Sequence, residues 1–349
     1  MKISMIGTGS FGTSLAMVLD ENGHDVLMYG RNDDTVHEIN QEHSNKNYLK
    51  DIKLNETIKA TNDLEVAVAH GEMLVLAVPV KAMRTMARTI NVILTEQNKK
   101  VLICHVAKGL ELGTHKRVSE VLQEELSENN YTDIAVLSGP SHAEEVSLML
   151  PTTVSTASVN ESGRKIVQDA FINKHFRVYE NKDLIGVEVG GALKNIIAIA
   201  IGILDGLGFG DNTKSAVITR GLHEIARLGT KMGADPLTFM GLTGVGDLIV
   251  TAMSEHSRNF RCGKMLASGQ SLDDIIENMG MVVEGVNTTK AAYELSQQFD
   301  IDMPITNVLY LYLFEELSEE EAFYSLMMRD KTSETDGLIA LMKNRIDSE

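Results

Sequence analysis

The chain has 349 residues, 43% hydrophobic and 23% charged, and its 32 Lys+Arg against 49 Asp+Glu give a net charge of −17. A domain runs to roughly 100–200 residues, so two domains with full hydrophobic cores are expected. The acidity argues against a surface built to grip nucleic acid or an anionic membrane, but it leaves room for a small anionic ligand among a few local cations.

Cys104 and Cys262 are the only cysteines, too few for a disulfide framework, so a reduced, cytoplasmic setting is expected. The apolar run before Gly7 is too short for a signal-peptide core. The stretch Leu193–Leu204 carries Lys194 and Asn195 and reads as too short for a membrane span. The ten histidines show no H-E-x-x-H or paired ligand spacing, so no metal site is expected.

In chain order, Lys2–Ile6 reads as a strand, Gly7–Gly12 as a glycine-rich turn, Thr13–Leu19 as a helix and His24–Tyr29 as a second strand. That order is a parallel βαβ crossover. Strands are expected next at Met73–Val78, Val101–His105 and Ile134–Leu137, with helices over Lys81–Leu94 and Lys116–Leu126 between them. Such alternation predicts an α/β fold, a Rossmann-type doubly wound sheet. Thr152–Val159 and Phe176–Tyr179 are the last strand candidates, and from Asp183 the patterns turn helical. In Lys214–Lys231, apolar Ile218, Leu222, Ile225 and Ala226 mark one helix face. Ser271–Met279, Asn287–Phe299 and Glu319–Met328 also read as helices, and Ser318 and Glu321 have capping-box spacing. The expected division is a dinucleotide-binding Rossmann domain over 1–180 and an all-helical C-terminal domain over 181–349.

Gly7-Thr8-Gly9-Ser10-Phe11-Gly12 is a G-x-G-x-x-G between strand and helix. Its glycines permit a tight turn, approach of a pyrophosphate to the backbone, and close helix–strand packing, while the helix N-terminus offers N–H groups to the anion. Arg31 lies 31 − 12 = 19 residues beyond Gly12, near the ~20-residue offset of the ribose-reading position. An arginine there favours the 2′-phosphate of NADP(H) over NAD(H), although Asp33 and Asp34 are close in sequence and an exposed surface arginine is the alternative.

Three strands end in Ala77-Val78-Pro79-Val80, Ala107-Lys108-Gly109-Leu110 and Ser138-Gly139-Pro140-Ser141, where an open parallel sheet lines its ligand crevice. Lys194, in Gly190-Gly191-Ala192-Leu193-Lys194-Asn195, suits a desolvated general base or, equally, a snorkelling lysine at a helix edge. Gly244-Val245-Gly246-Asp247 and Ser257-Arg258-Asn259 suit a phosphate clamp or, equally, a helix break and a solvated arginine. The five glutamates in Glu315–Glu321 read as a solvated face.

Taken together, GTGSFGTSLA, AKGLE, LSGPSHAEEV, GGALKNIIAIAIGILDGLGFGDNTKSAVITRG, GLTGVGDL, SRNFRCG and VVEGVNTTK resemble the bacterial-type NAD(P)-dependent sn-glycerol-3-phosphate dehydrogenase family, from residue 3 to about 308. The resemblance implies interconversion of dihydroxyacetone phosphate and sn-glycerol 3-phosphate with NADP(H) or NAD(H), in service of phospholipid synthesis. It implies Lys194 as the catalytic lysine. It places substrate contacts on Lys108, Gly139, Ser141, Lys194, Asp247, Ser257, Arg258 and Asn259. Cofactor contacts fall on Ser10, Phe11, Arg31, Lys108, Ala143, Arg258, Val282 and Glu284, beside the glycines of the turn. The expected partner is thus a small phosphorylated substrate, with no nucleic acid and no membrane span, and a homo-oligomer is left open. The competing readings are a related Rossmann dehydrogenase for a β-hydroxyacid and a non-catalytic NADPH-binding sensor.

Overall fold

A computed structural model describes residues 1–279, 282–331 and 333–334. The chain forms two compact units, Met1–Ala107 with Val118–Leu184, and Lys108–Arg117 with the chain from Ile185 onward. The expected division at 180 therefore needs two changes: the second unit begins at Ile185, and it also claims Lys108–Arg117, ten residues expected in the first domain. The strip changes allegiance because Leu110 is buried in the second unit's apolar core and Lys108 is bonded there through both its backbone and its side chain. Of the expected second domain, 335–349 lie outside the described residues.

The first unit has ten strands: β1 (Lys2–Ile6), β2 (Asp25–Tyr29), β3 (Ser44–Asn45), β4 (Leu49–Lys53), β5 (Lys59–Thr61), β6 (Met73–Leu76), β7 (Val101–His105), β8 (Tyr131–Ser138), β9 (Thr152–Ser158) and β10 (Phe176–Asn181). Eight form one sheet in the order β10-β9-β8-β7-β6-β1-β2-β5, and β3 and β4 form a separate antiparallel pair. The large sheet is parallel from β5 through β8. It reverses between β8 and β9, which are antiparallel, and β9 and β10 are again parallel to each other.

The central strands are buried on both faces, and so are nearly continuous apolar runs. Met73-Leu74-Val75-Leu76 is wholly buried. Alternate residues serve opposite layers: Ile3, Met5, Met73 and Val75 pack with the helix Ser10–Glu21 on one face, whereas Ile6, Leu74 and Leu76 pack with the helix Val80–Glu96 on the other. Because β1 lies between β2 and β6, the winding reverses at its carboxyl end, which is where open α/β sheets leave a ligand crevice.

The segment between β2 and β6 contains structure that periodicity does not predict. It holds a short helix Asp33–His37, a π-helical turn Glu38–Glu42, the β3–β4 pair, β5 and a helix Leu64–His70. These elements are brief, and β4 exposes most of its residues, so no apolar rhythm announces them.

The second unit is helical. Its axis is Leu184–Gly206, 23 residues with mean hydropathy 1.8 over a window that is 89% buried. Counting only Leu193–Leu204 understates it: the helix is long and apolar enough, by length and composition, to cross a bilayer. Here it forms a core, with Leu193, Ile196, Ile197, Ile199 and Ile201 packed inside the unit. Gly202 lets the helix Arg258–Ala267 approach closely, because a Cβ there would lie only 2.1 Å from the Phe260 carbonyl oxygen. Further helices span Asp211–Lys231, Asp247–Ala252, Leu272–Met279, Glu284–Phe299, Pro304–Phe314 and Glu319–Met327. The last begins with the capping box expected at Ser318 and Glu321.

Candidate active site

In the first unit the glycine turn joins β1 to the helix Ser10–Glu21. Gly7 has φ +127°, a backbone state that side-chain-bearing residues rarely adopt, and a Cβ there would sit 2.5 Å from the Ala77 carbonyl oxygen. A Cβ on Gly12 would sit 2.5 Å from the Gly7 carbonyl oxygen. The turn is therefore as tight as the motif requires. At Gly9, by contrast, a Cβ would meet nothing within 4 Å, and this N-cap has no side-chain cap. An open helix N-terminus bordered by glycine suits a pyrophosphate.

Ser10 opens the helix and its hydroxyl donates to the Tyr48 carbonyl at 3.1 Å. Phe11, partly buried, packs on the first unit's core. Asn45 buttresses the turn by donating to the Thr8 carbonyl at 2.8 Å and to Thr13 Oγ1 at 2.9 Å. Arg31 is exposed, two residues past β2. Gly139, Ser141 and Ala143 follow the end of β8. Gly139 has φ +144°, Ser141 donates to the Gly139 carbonyl at 2.9 Å, and Ala143 opens the helix Ala143–Ser147.

In the second unit the structure brings half-buried Lys108 together with buried Lys194 and Asp247. Lys194 lies on the axial helix, 5% exposed, and Asp247, 1% exposed, opens the helix Asp247–Ala252. Lys194 Nζ donates to Asp247 Oδ1 at 2.5 Å, and Lys108 Nζ donates to the other oxygen, Oδ2, at 2.7 Å. Asp247 is thus held between two amines. The turn Leu242–Gly246 that delivers it is π-helical, and a Cβ on Gly190 would lie 2.6 Å from that turn's Thr243 carbonyl oxygen.

Burial pushes the Lys194 amine down to about 7, aided by the Lys108 charge and opposed by Asp247. Burial alone would raise the Asp247 carboxyl, but the ammonium groups of Lys108 and Lys194 outweigh it and hold the group below its ordinary range. A lysine poised near neutrality beside an ionised carboxylate can both take and give a proton.

A second network runs alongside. Asn195 donates to the Lys108 carbonyl at 3.2 Å and accepts from Asn259 Nδ2 at 2.8 Å, while Asn259 Oδ1 accepts from the Gly285 amide at 3.0 Å. Ser257 caps the helix Arg258–Ala267, its Oγ accepting from the Phe260 amide at 3.2 Å, and Arg258 is half-buried in the first turn. The same bonds bring the stretch holding Val282 and Glu284 to Asn259, because Glu284 begins the helix that includes Gly285.

Two residues were missed as site candidates. Thr251 Oγ1 accepts from Lys194 Nζ at 2.5 Å, and its signal was the i, i+4 spacing from Asp247 on one short helix. Asn195 stands in the lysine motif itself, but its link to Lys108 joins positions 87 residues apart. That link is not a local pattern.

A parallel sheet with this glycine turn at its switch point, accompanied by a helical unit with a buried lysine–carboxylate pair, defines a dinucleotide-dependent dehydrogenase class. The pattern described as NAD-dependent glycerol-3-phosphate dehydrogenase N-terminus matches residues 2–163, and that of the C-terminus matches 183–324. The chain is 57% identical over 334 residues to a glycerol-3-phosphate dehydrogenase [NAD(P)+] of Macrococcus caseolyticus, covering 96% of this chain and 100% of that one. It is 53% identical over 345 residues to the Bacillus subtilis protein of the same name, covering 99% of each. A crystal structure of glycerol-3-phosphate dehydrogenase from Coxiella burnetii superposes with TM-score 0.88 at 37% identity, covering 94% of this chain and 98% of that one. The chain belongs to the NAD-dependent glycerol-3-phosphate dehydrogenase family. A D-mandelate dehydrogenase, at 12% identity and TM-score 0.58, shares the fold alone.

Proposed function

We propose that the protein catalyses the reversible NAD(P)H-linked reduction of dihydroxyacetone phosphate to sn-glycerol 3-phosphate, as a cytoplasmic step that supplies glycerophospholipid synthesis. The observation that carries this reading is the buried Lys194 amine, at about 7, bonded to Asp247. The turn Gly7–Gly12 with Ser10 and Phe11 would hold the dinucleotide, and its nicotinamide would supply or accept hydride at the substrate's C2. Arg31 would meet the adenosine 2′-phosphate when the cofactor is NADP(H).

Lys194 Nζ handles the proton. As ammonium it donates to the C2 oxygen during reduction, and as amine it removes the C2 hydroxyl proton during oxidation. Asp247 sustains the ammonium form by charge and keeps Nζ aimed by its 2.5 Å bond. Lys108, on the carboxylate's other oxygen, limits that support and keeps the amine form accessible near neutral pH. Ser257, Arg258 and Asn259 offer hydroxyl, guanidinium and amide donors at one helix N-terminus, a suitable cradle for the substrate phosphate. The family resemblance adds Gly139 and Ser141 as substrate contacts and Ala143, Val282 and Glu284 as cofactor contacts. Binding energy from a phosphate remote from C2 assists the chemistry there.

Lys194→Ala tests the assignment. Turnover of dihydroxyacetone phosphate should be lost while NADPH binding, read by nucleotide fluorescence, survives. Near-normal turnover in a folded variant would remove Lys194 from the mechanism.

A further inference from the structure

The loop Lys108–Arg117 departs from the chain between β7 and the helix Val118–Glu125, yet it packs in the second unit. It is stiffened from within: the His115 amide donates to the Glu111 carbonyl at 2.9 Å, the Glu111 amide donates to the Lys116 carbonyl at 2.9 Å, and Thr114 Oγ1 donates to Glu111 Oε2 at 2.5 Å. His115 adopts φ 58°, which closes the turn. At one end the loop presents Lys108 to Asp247. At the other it is tied by an ion pair and a histidine–carboxylate hydrogen bond. Arg117 Nη1 meets Glu188 Oε2 at 2.6 Å, with side chains 11% and 4% exposed, and His115 Nε2 meets Glu294 Oε2 at 2.5 Å.

Glu188 stands on the same helix as Lys194, six residues away and so roughly 9 Å along the axis. The loop is therefore referenced to the helix whose lysine its own lysine opposes. A buried ion pair contributes little net stability compared with apolar residues of similar volume, so anchoring alone does not call for the Arg117–Glu188 pair. What the pairs add is direction, since each accepts one geometry of the loop.

We propose that Glu188 and Glu294 are positioning residues, which by holding Arg117 and His115 fix the loop so that Lys108 Nζ rests on Asp247 Oδ2. This rests on the dehydrogenase reading given above. If an anchor is lost, Leu110 and the Asn195 bond to the Lys108 carbonyl still keep the loop in the second unit, but the Lys108 ammonium loses its fixed approach to Asp247 Oδ2. The cation that disfavours the Lys194 proton is then held less closely, so Lys194 holds its proton to higher pH.

The test uses the full-length protein with ¹⁵N-labelled lysine, following the Lys194 Nζ signal through a pH titration in wild type, Glu188→Gln and Glu294→Gln, alongside kcat and KM for the oxidation of sn-glycerol 3-phosphate. The expected result is an upward shift of the Lys194 midpoint in both variants. Loss of kcat in oxidation near neutral pH should be roughly tenfold to a hundredfold, as expected for misplacement on the order of 1 Å. NADPH affinity should stay unchanged. A lower Tm with a wild-type Lys194 titration would overturn the proposal, because a purely structural pair would do just that. If Glu188→Gln fails to fold, the half-exposed Glu294→Gln decides alone. Should wild type itself fail to reduce dihydroxyacetone phosphate, the functional reading falls while the titration still judges the anchors.

Discussion

Asp247→Asn separates the electrostatic role of the carboxylate from its shape. The substitution keeps size and one hydrogen-bond acceptor but removes the charge lying 2.5 Å from Lys194 Nζ and 2.7 Å from Lys108 Nζ. At an effective dielectric of about 20, unit charges ~2.5 Å apart interact by roughly 6–7 kcal/mol. Relaxation and water entry erode that figure. Even a third of it exceeds the ~1.4 kcal/mol that moves a midpoint by one pH unit. The Lys194 midpoint, about 7 in the wild type, should therefore fall by more than about one pH unit.

The sign of the kinetic effect follows. Reduction needs the ammonium, so wild-type kcat for dihydroxyacetone phosphate reduction should decline as pH rises through about 7, and the variant's decline should begin at lower pH. At pH 7.5 the variant should be at least roughly eightfold slower in reduction, with a smaller deficit at pH 5.5. The assay is NADPH oxidation followed across pH under saturating substrate. Removing the carboxylate from beside buried Lys194 and half-buried Lys108 also costs stability, up to about 3–5 kcal/mol, so folding is checked by thermal melting. A folded variant whose pH profile coincides with wild type would refute the claim that Asp247 sustains the Lys194 ammonium.

Arg31→Ala should raise the KM for NADPH far more than that for NADH, and equal effects would mean that Arg31 does not read the 2′-phosphate. Glu224, buried on the helix Asp211–Lys231, accepts from the Ile305 and Thr306 amides at 2.7 and 3.0 Å, capping the helix Pro304–Phe314. Burial pushes its carboxyl up to about 7, against those hydrogen bonds and Arg227. The folded state then binds this proton more firmly than the unfolded chain, so the contribution to stability is greatest below about 4.5 and is lost as pH rises through about 7. Glu224→Gln should flatten that slope: the Tm difference between variant and wild type should move in the variant's favour from pH 5 to pH 8, and a pH-independent difference would count against a titrating Glu224.

What could be read from sequence follows the range over which each constraint acts. β7 was placed at its observed limits and the glycine turn in its observed context, because an apolar run and a φ-permissive residue are local signals. The region from Asp33 to His70 was not resolved into elements, since its short pieces owe their form to packing against neighbours. At the site, Lys194, Asp247 and Lys108 were each singled out, but their sharing of one carboxylate spans 53 and 139 residues. Chain proximity carries no trace of that. The loop Lys108–Arg117 was assigned to the wrong unit for the same reason: its neighbours in sequence are strands and helices of the first, while Leu110 finds its apolar partners in the second. The axial helix was underestimated because Glu188, Gly190 and Gly191 interrupt the apolar run without interrupting the helix.

A net charge of −17 would oppose an anionic cofactor and an anionic substrate were it not screened beyond ~8 Å at physiological ionic strength. Local cations therefore decide, and the account assigns the substrate phosphate to the Ser257–Arg258–Asn259 helix start. The most direct measurement is the oxidation of NADPH and NADH with dihydroxyacetone phosphate, run beside dihydroxyacetone. The account predicts turnover with the phosphate ester and its near-complete loss with the free ketone; comparable rates with both, or none with either, would contradict it.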